Sequence, residues 1–451
     1  MFWLILIYLI IFAYLALRRL DLALMIIIFA LWSYLIRVEV LGFPTTLLEL
    51  MILIVFAVWI IKNLPILWKR VKANVKKRKI TNRYPFDWEI ILLLIISLVA
   101  VSIAGWNNSA LGAWKAYFFE PILLFLIIFN VLNKEYSKIV YPLAFSAAIL
   151  SAIAIFQKLT GIFIVPDFWN ELGHRATSVF QYPNALGLCL APIIMILIGW
   201  LFYELKKKNK LKIVFLIITI ILSIIAVYCA ESEGALVAIG AALIVFGILA
   251  NKKIAVIIII ILSIAGTLIY LNQPVYEKVK DKVTLFDLSG QIRRQQWKET
   301  WTMLKDNRII AGSGLSNYKT AIEPYHQEGI FVKNHDPKWL EKVLTDPVYH
   351  KNAWQPTEIY IYPHNIVLNF WTELGLAGAL IFIFIIIKYL IIALKNCNKS
   401  NKYFALGLLG AMITIIVHGI VDVPYFKNDL SILFWLLIAL LGMLNANKKI
   451  A

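Results

Sequence analysis

Residues Ile213–Leu271 read IVFLIITIILSIIAVYCAESEGALVAIGAALIVFGILANKKIAVIIIIILSIAGTLIYL. Apolar runs near 212–229, 234–250 and 254–271 are parted only by Glu231-Ser232-Glu233-Gly234 and Lys252-Lys253. A bilayer core needs about 20 apolar residues per helical crossing, and none of these runs alternates with period two. Lipid cannot bond backbone groups, so such segments must be helices and not barrel strands. Working outward, further runs lie near 2–17, 22–37, 45–62, 88–105, 111–132, 139–158, 184–203, 364–391, 403–421 and 429–446. The expected fold is all-α and polytopic, with 12 or 13 transmembrane helices.

Of 451 residues, 61% are hydrophobic and 16% charged. Soluble domains carry about a quarter charged residues, so that class is excluded, together with collagen-like, disordered and disulfide-scaffold chains. Cys189, Cys229 and Cys397 form no CxxC pattern or Cys/His cluster, which leaves no disulfide framework or zinc site. Met1 to Leu17 lacks a basic n-region and precedes Arg18-Arg19. It reads as a retained first span, not a cleaved signal peptide.

The formal charge of +18 follows the loops. One alternate set holds Arg18-Arg19, nine basic residues over 62–83, Lys134, Lys138, Lys206 to Lys212, Lys252-Lys253, Lys395, Lys399, Lys402 and Lys448-Lys449. Its short counterparts hold little beyond Arg37, Lys158, Arg175 and Lys427. The positive-inside rule then places the N-terminus outside and the C-terminus in the cytoplasm. Orientation accounts for the basic excess, so no nucleic-acid partner is implied. Four regions result: N-terminal spans over 1–170, central spans over 171–272, a large external loop over 273–361, and C-terminal spans over 362–451. The loop carries thirteen basic and eleven acidic residues. Trp297, Trp301, Trp339 and Trp354 lie among these charges, as in interfacial amphipathic helices. Ile292–Leu304 has helical spacing, and Asp336-Pro337 resembles an N-cap before Trp339.

No P-loop, GxGxxG, HExxH or Asp-x-Asp occurs. Candidate chemistry gathers on the outer face. His364, within Tyr362-Pro363-His364-Asn365 at the loop's re-entry, can accept a proton if apolar surroundings keep it neutral. Asn365 is expected to hold the imidazole or a substrate hydroxyl. His326, His335 and His350 read as solvated loop residues. His174-Arg175-Ala176-Thr177 precedes Phe180-Gln181-Tyr182-Pro183-Asn184, and an arginine here suits a phosphate. Arg293, Arg294 and Trp297 precede Gly312-Ser313-Gly314, whose glycines permit close backbone approach. Glu231 and Glu233 offer a weak site for a shared divalent cation. Lys115, Glu120 and Asp422 are ionisable groups toward outer span ends.

In order, these segments resemble the O-antigen ligase and Wzy-type polymerase superfamily. The resemblance is carried by Arg175-Ala-Thr with Phe180 and Pro183-Asn184; by Arg293-x-x-x-Trp297 with Gly312-x-Gly314-x-x-Asn317-Tyr318; by Tyr362-Pro363-His364-Asn365 with Glu373-Leu374-Gly375-Leu376-x-Gly378; and by His418-Gly419-x-x-Asp422. It covers roughly 170–445. It implies a bacterial inner-membrane transferase that takes a glycan from undecaprenyl diphosphate without nucleotide, metal or other cofactor. The acceptor would be the lipid A core or an analogous glycolipid, another lipid-linked repeat in a polymerase, or a protein hydroxyl.

By the same resemblance His364 is the general base, Arg293 holds the diphosphate, and Arg175 is a second phosphate contact. Asn365, Tyr362, Asn184, Glu373, His418 and Asp422 support them. The family's Ser-Arg-Gly-like residues are Ser232-Glu233-Gly234 here. Arg294, Arg175 or Lys115 is expected to replace the missing cation, or Glu233 to serve an acceptor or cation. The non-enzymatic alternative, a transporter of polyisoprenoid-linked solute, needs ionisable residues at mid-span.

Overall fold

The computed structural model describes residues 2–40, 43–77, 84–398 and 401–445. Lys399, Lys448-Lys449 and the 78–83 part of the basic loop lie outside them. The chain begins α1 (Phe2–Arg18), α2 (Leu20–Phe29), the hairpin β1 (Arg37–Val40) and β2 (Phe43–Thr46), α3 (Leu47–Lys77) and α4 (Asp87–Ile103). Then α5 (Asn108–Trp114) continues through a π turn, Lys115–Phe119, into α6 (Glu120–Val131). Next come α7 (Ser137–Thr160), the single turn α8 (Phe168–Glu171), α9 (Pro183–Lys207), α10 (Lys210–Cys229), α11 (Glu233–Ala250) and α12 (Lys252–Leu271). The long loop holds α13 (Gln273–Val283), α14 (Leu288–Lys305), α15 (Tyr318–Ile322), β3 (Gly329–Phe331), α16 (Trp339–Thr345), α17 (Pro347–Ala353) and β4 (Trp354–Pro356). Last are α18 (Ile366–Asn396), α19 (Lys402–His418) and α20 (Asn428–Asn445).

The architecture is the all-α, polytopic one expected. Among the described residues, nine helices are long and apolar enough to cross a membrane, with 108–131 counted as one; α1, α2 and α19 are shorter apolar helices. Each apolar run seen in the sequence coincides with helix, but the second departs in form. Its α-helix stops at Phe29 and tightens into a 3-10 turn over Leu31–Leu35, with Ser33 N donating to Ala30 O (2.9 Å) and Ile36 N to Ser33 O (3.0 Å). Aromatic Trp32 and Tyr34 favour helix weakly, and the chain passes directly into the β hairpin.

The loops sort themselves into two ends. At one, Lys62 Nζ donates to Leu17 O (2.5 Å), Lys138 pairs with Asp21 (2.9 Å), and Lys402 Nζ donates to Ala250 O (2.9 Å). At the other, Lys115 pairs with Glu49 (2.5 Å) and Lys158 with Glu231 (2.9 Å). Tyr8 bonds Met51 while the end of α1 meets Lys62. Thus α1 and α3 run the same way with α2 between them, the alternation that the charge pattern requires.

Helices α9 and α20 form the shaft and are buried along most of their length, while α12 has no buried residue and lies at the periphery. Without a hydrophobic force between helices in lipid, close approach depends on small residues. A Cβ built on Gly199 would fall 2.7 Å from Gly407 Cα, so α9 and α19 touch backbone to backbone.

In the long loop α14 forms as its spacing suggested, capped by Asp287, whose Oδ1 accepts from Gly290 N (3.2 Å). The expected Asp336 cap is displaced: its side chain turns the backbone at Lys338 N (2.9 Å), and α16 starts after Lys338. Asp346, followed by Pro347, is a true cap, accepting from Val348 N (2.9 Å) and Tyr349 N (3.2 Å).

Gly407→Leu is expected to remove the folded species from detergent-solubilised protein on size-exclusion chromatography, since overpacking a close contact costs about 1–3 kcal/mol or more. Gly240, with nothing within 4 Å of its Cβ position, should accept leucine with little change.

Candidate active site

The junction Tyr362-Pro363-His364-Asn365 is sewn to two neighbours. Asn365 caps α18 by accepting from Leu368 N (3.0 Å), and its Nδ2 donates to Ile420 O (3.0 Å). Ile366 N donates to Gly419 O (2.8 Å). Asn365 is therefore spent on cap and backbone rather than on the imidazole. From the other side, α14 sends Trp297 Nε1 to Pro363 O and Gln296 Nε2 to Tyr362 O, both at 2.9 Å.

His364 sits in the left-handed region at φ 45°, uncommon for a residue other than glycine. Its ring is met edge-on by Tyr360 (4.8 Å) and Tyr362 (4.9 Å). Its Nδ1 lies 3.0 Å from Gln296 Oε1. Burial, and then the Arg293 cation, push the imidazole down to about 4, so it is neutral at pH 7.

Arg293 lies one helical turn before Trp297. Its Nη1 donates to Ser289 Oγ (2.7 Å), and its buried Nε has no hydrogen-bond partner among the described residues. Asp422 is buried; burial raises its carboxyl, against which Val423 N and Arg293 act. Asn184 Nδ2 reaches Asp422 Oδ2 at 3.5 Å, and Asn184 Oδ1 accepts from Arg175 Nη2 at 3.4 Å. Arg175 is held by Ala230 O (2.9 Å from Nε) and Glu231 O (3.1 Å from Nη2), with its guanidinium over the Trp169 ring at 5.2 Å. These carbonyls close α10, whose C-terminal dipole end attracts a cation. His418 is buried against Gly234, where a Cβ would lie 2.8 Å from the ring.

Arg175, Asn184 and Asp422, from segments far apart in the chain, are joined by hydrogen bonds, and the Arg293 charge bears on both Asp422 and His364 at the same end of the helical body, the one that carries few basic loops. Other candidates lie apart from these. Arg294 is exposed, a step around α14 from Arg293. Lys115 is engaged by Glu49. Glu231 and Glu233 do not converge on a shared point: Glu231 pairs with Lys158 and Glu233 with Lys282 (2.5 Å).

Of the loop histidines, His335 and His350 are exposed as expected, though each makes a hydrogen bond, and His326 is partly buried. His326 lies between Glu299 (3.4 Å) and Thr357 O (3.2 Å), His335 bonds Asp281 (2.7 Å), and His350 bonds Val343 O (2.9 Å).

Glu373 and the glycine turn belong to one device. Gly375 (φ 74°, ψ −177°) breaks α18. Across the break Ser313 N donates to Thr372 O (2.6 Å), Leu376 N to Ile310 O (3.1 Å), and Ser316 N to Glu373 Oε2 (2.5 Å). Gly312 packs on Trp371 and Thr372 carbonyls, where a Cβ would come within 2.6 Å of either. The close approach read into these glycines is to α18 itself. Gln296 was not among the sequence candidates: its partners lie 66 and 68 residues away, and no local pattern marks it.

The fold and this cluster define a multi-pass membrane protein with a polar site beneath a long loop at one end. Residues 218–383 match the family described as O-antigen ligase, a segment that contains Arg293, Trp297, His364 and Glu373 but leaves Arg175, Asn184 and Asp422 outside it. Over this segment the chain is similar to the O-antigen ligase family, and the match supports a relationship to it. It is also 23% identical over 383 residues to an uncharacterized protein of Haemophilus influenzae, covering 84% of this chain and 86% of that one.

Gly375→Ala places a Cβ where Ile310 O lies 2.2 Å away. Limited proteolysis should then cut the 305–317 region at least about threefold faster, because strained left-handed positions cost roughly 1–3 kcal/mol.

Proposed function

We propose that this protein transfers a glycan from undecaprenyl diphosphate to an acceptor hydroxyl at the outer face of the bacterial cytoplasmic membrane, its N-terminus outside and C-terminus inside. The observation that carries the reading is geometric: α14 grips the junction that bears His364, through Gln296 and Trp297, and the same helix brings Arg293, whose buried Nε has no hydrogen-bond partner among the described residues. In the reaction the acceptor oxygen bonds to the anomeric carbon as the bond from that carbon to the diphosphate oxygen breaks. The bonding pair leaves on the diphosphate, and the hydroxyl proton passes to His364. Arg293, with Arg175 beyond the Asn184–Asp422 link, offers charge where negative charge develops, the geometry that favours transition state over ground state. This chemistry needs neither nucleotide nor metal. The acceptor we favour is the lipid A core or an analogous glycolipid.

The test gives purified protein an undecaprenyl-diphosphate oligosaccharide with and without acceptor. Extension of the donor alone would mark a polymerase, transfer to peptide a protein glycosylase, and no product in any mixture would overturn the proposal. His364→Ala should lower transfer about 10²–10⁴-fold, the usual span for a general base. Arg293→Ala should lower it at least about tenfold, while exposed Arg294→Ala changes it little.

The pH profile carries a sign. A base whose pKa is depressed is active above that value, so kcat/KM for transfer, which reports the free enzyme, should be level through about pH 6–8 and fall as pH drops through His364's value of about 4. An unperturbed histidine would put the midpoint near 6.5.

A further inference from the structure

We propose that Gln296 is a positioning residue that fixes His364 as the Nδ1–H tautomer, making Nε2 the atom that receives the proton. The inference rests on the reading of His364 as the base. A glutamine amide has one donating and one accepting end. The donating end is committed: Gln296 Nε2 gives a hydrogen bond to Tyr362 O at 2.9 Å, and a carbonyl can only accept. The reverse amide orientation would set two acceptors face to face. Oε1 must therefore point at the ring, 3.0 Å from His364 Nδ1. Since Oε1 has no proton, Nδ1 supplies it, and in a neutral imidazole the lone pair is then on Nε2.

The side chain is held for this task. Gln296 is 7% exposed, so water competes little for its amide, and its backbone carbonyl is bonded by buried Thr300 Oγ1 (2.7 Å), itself joined to the Tyr318 hydroxyl (2.8 Å). Both ends of the amide engage the one tetrapeptide that carries the base. The titratable groups that meet the ring are Tyr360 and Tyr362 on the loop, and the charge that bears on it is Arg293 on α14, which also bears on His418 and Asp422 where α19 ends. Arg293 is the cation among them, and Gln296 adds no counter-charge. A carboxylate in its place would keep the hydrogen bond from Nδ1 and add a counter-charge, while giving up the bond to Tyr362 O. When Nε2 takes the acceptor's proton, the ring becomes an imidazolium that still donates from Nδ1 to Gln296.

The experiment compares wild-type protein, Gln296→Glu and Gln296→Leu, full length in detergent. Diethyl pyrocarbonate attacks only neutral imidazole, so the rate of His364 carbethoxylation against pH, read by peptide mass spectrometry, gives the midpoint without any substrate. Gln296→Glu should raise it by about one unit or more while retaining transfer near pH 8. Gln296→Leu should cut kcat for transfer at least about tenfold with donor KM unchanged. An unshifted midpoint in Gln296→Glu, or wild-type kcat in Gln296→Leu, overturns the proposal. Should the leucine variant fail to fold, the glutamate variant decides alone. His364→Ala separates the two levels: undiminished transfer there removes the base reading itself, whereas lost transfer with an unshifted Gln296→Glu midpoint removes only the role of Gln296.

Discussion

A helix broken inside a membrane leaves amides and carbonyls that lipid cannot bond, and α18 is broken at Gly375. The protein answers with backbone from the long loop. Ile310 O, Ser313 N and Ser316 N supply the partners that α18 lacks or that its Glu373 demands. On the other side of the same turn, Leu315 N donates to Ala100 O of α4 (3.2 Å), and a Cβ on Gly314 would lie 2.7 Å from Ala104 N. The turn is a wedge between α4 and α18, so the long loop is anchored near its middle. Because α14 ends only a few residues before this wedge, its position over the His364 junction is inherited from the kink.

Most polar side chains around the candidate site are consumed in holding backbone. Asn365 caps α18 and ties it to Ile420; Arg175 bridges the end of α10; Trp297 and Gln296 grip the junction. Each bond satisfies a group that would otherwise be costly to bury. Among the described residues, those around the site left with hydrogen-bonding capacity include His364 at Nε2, Arg293 at Nε and His418 at Nδ1. A site built this way is rigid before anything binds, which is how protein dipoles and charges become useful to a reaction.

The helices were legible because a twenty-residue apolar run has one physical outcome in lipid. Which loops share an end was legible because basic residues sort by side. The 3-10 turn after Phe29 was not, since hydropathy counts residues and does not see how tightly they wind. In the site, His364 stood out as an ionisable residue at a loop-to-helix boundary, and Arg293 by its place with Trp297 ahead of the glycine turn. Gln296 did not, because its meaning lies in a tertiary contact and its residue type is ordinary on an exposed helix. Lys115 misled for the complementary reason: a cation near a span end suggests a ligand until its partner, Glu49, comes from a helix 66 residues away.

The proximity of Arg293 to His364 ties binding to proton transfer. With no anion bound, burial first and then the guanidinium disfavour imidazolium, and His364 stays neutral well below pH 7. A base so depressed is available, but it holds a proton weakly. In the proposed reaction a diphosphate against Arg293 places negative charge within the same low-dielectric region. The cation's penalty on protonated His364 is then offset, and the pKa of the base moves up toward the range in which it can take a hydroxyl proton. The sign of this linkage is fixed by charge alone: whatever anion satisfies Arg293 makes His364 a stronger base, and protonation of His364 in turn strengthens the hold on the anion. If His364 is the base and a diphosphate the leaving group, as proposed, the arrangement gives its stronger base when that anion is bound and a weaker one when the site holds none.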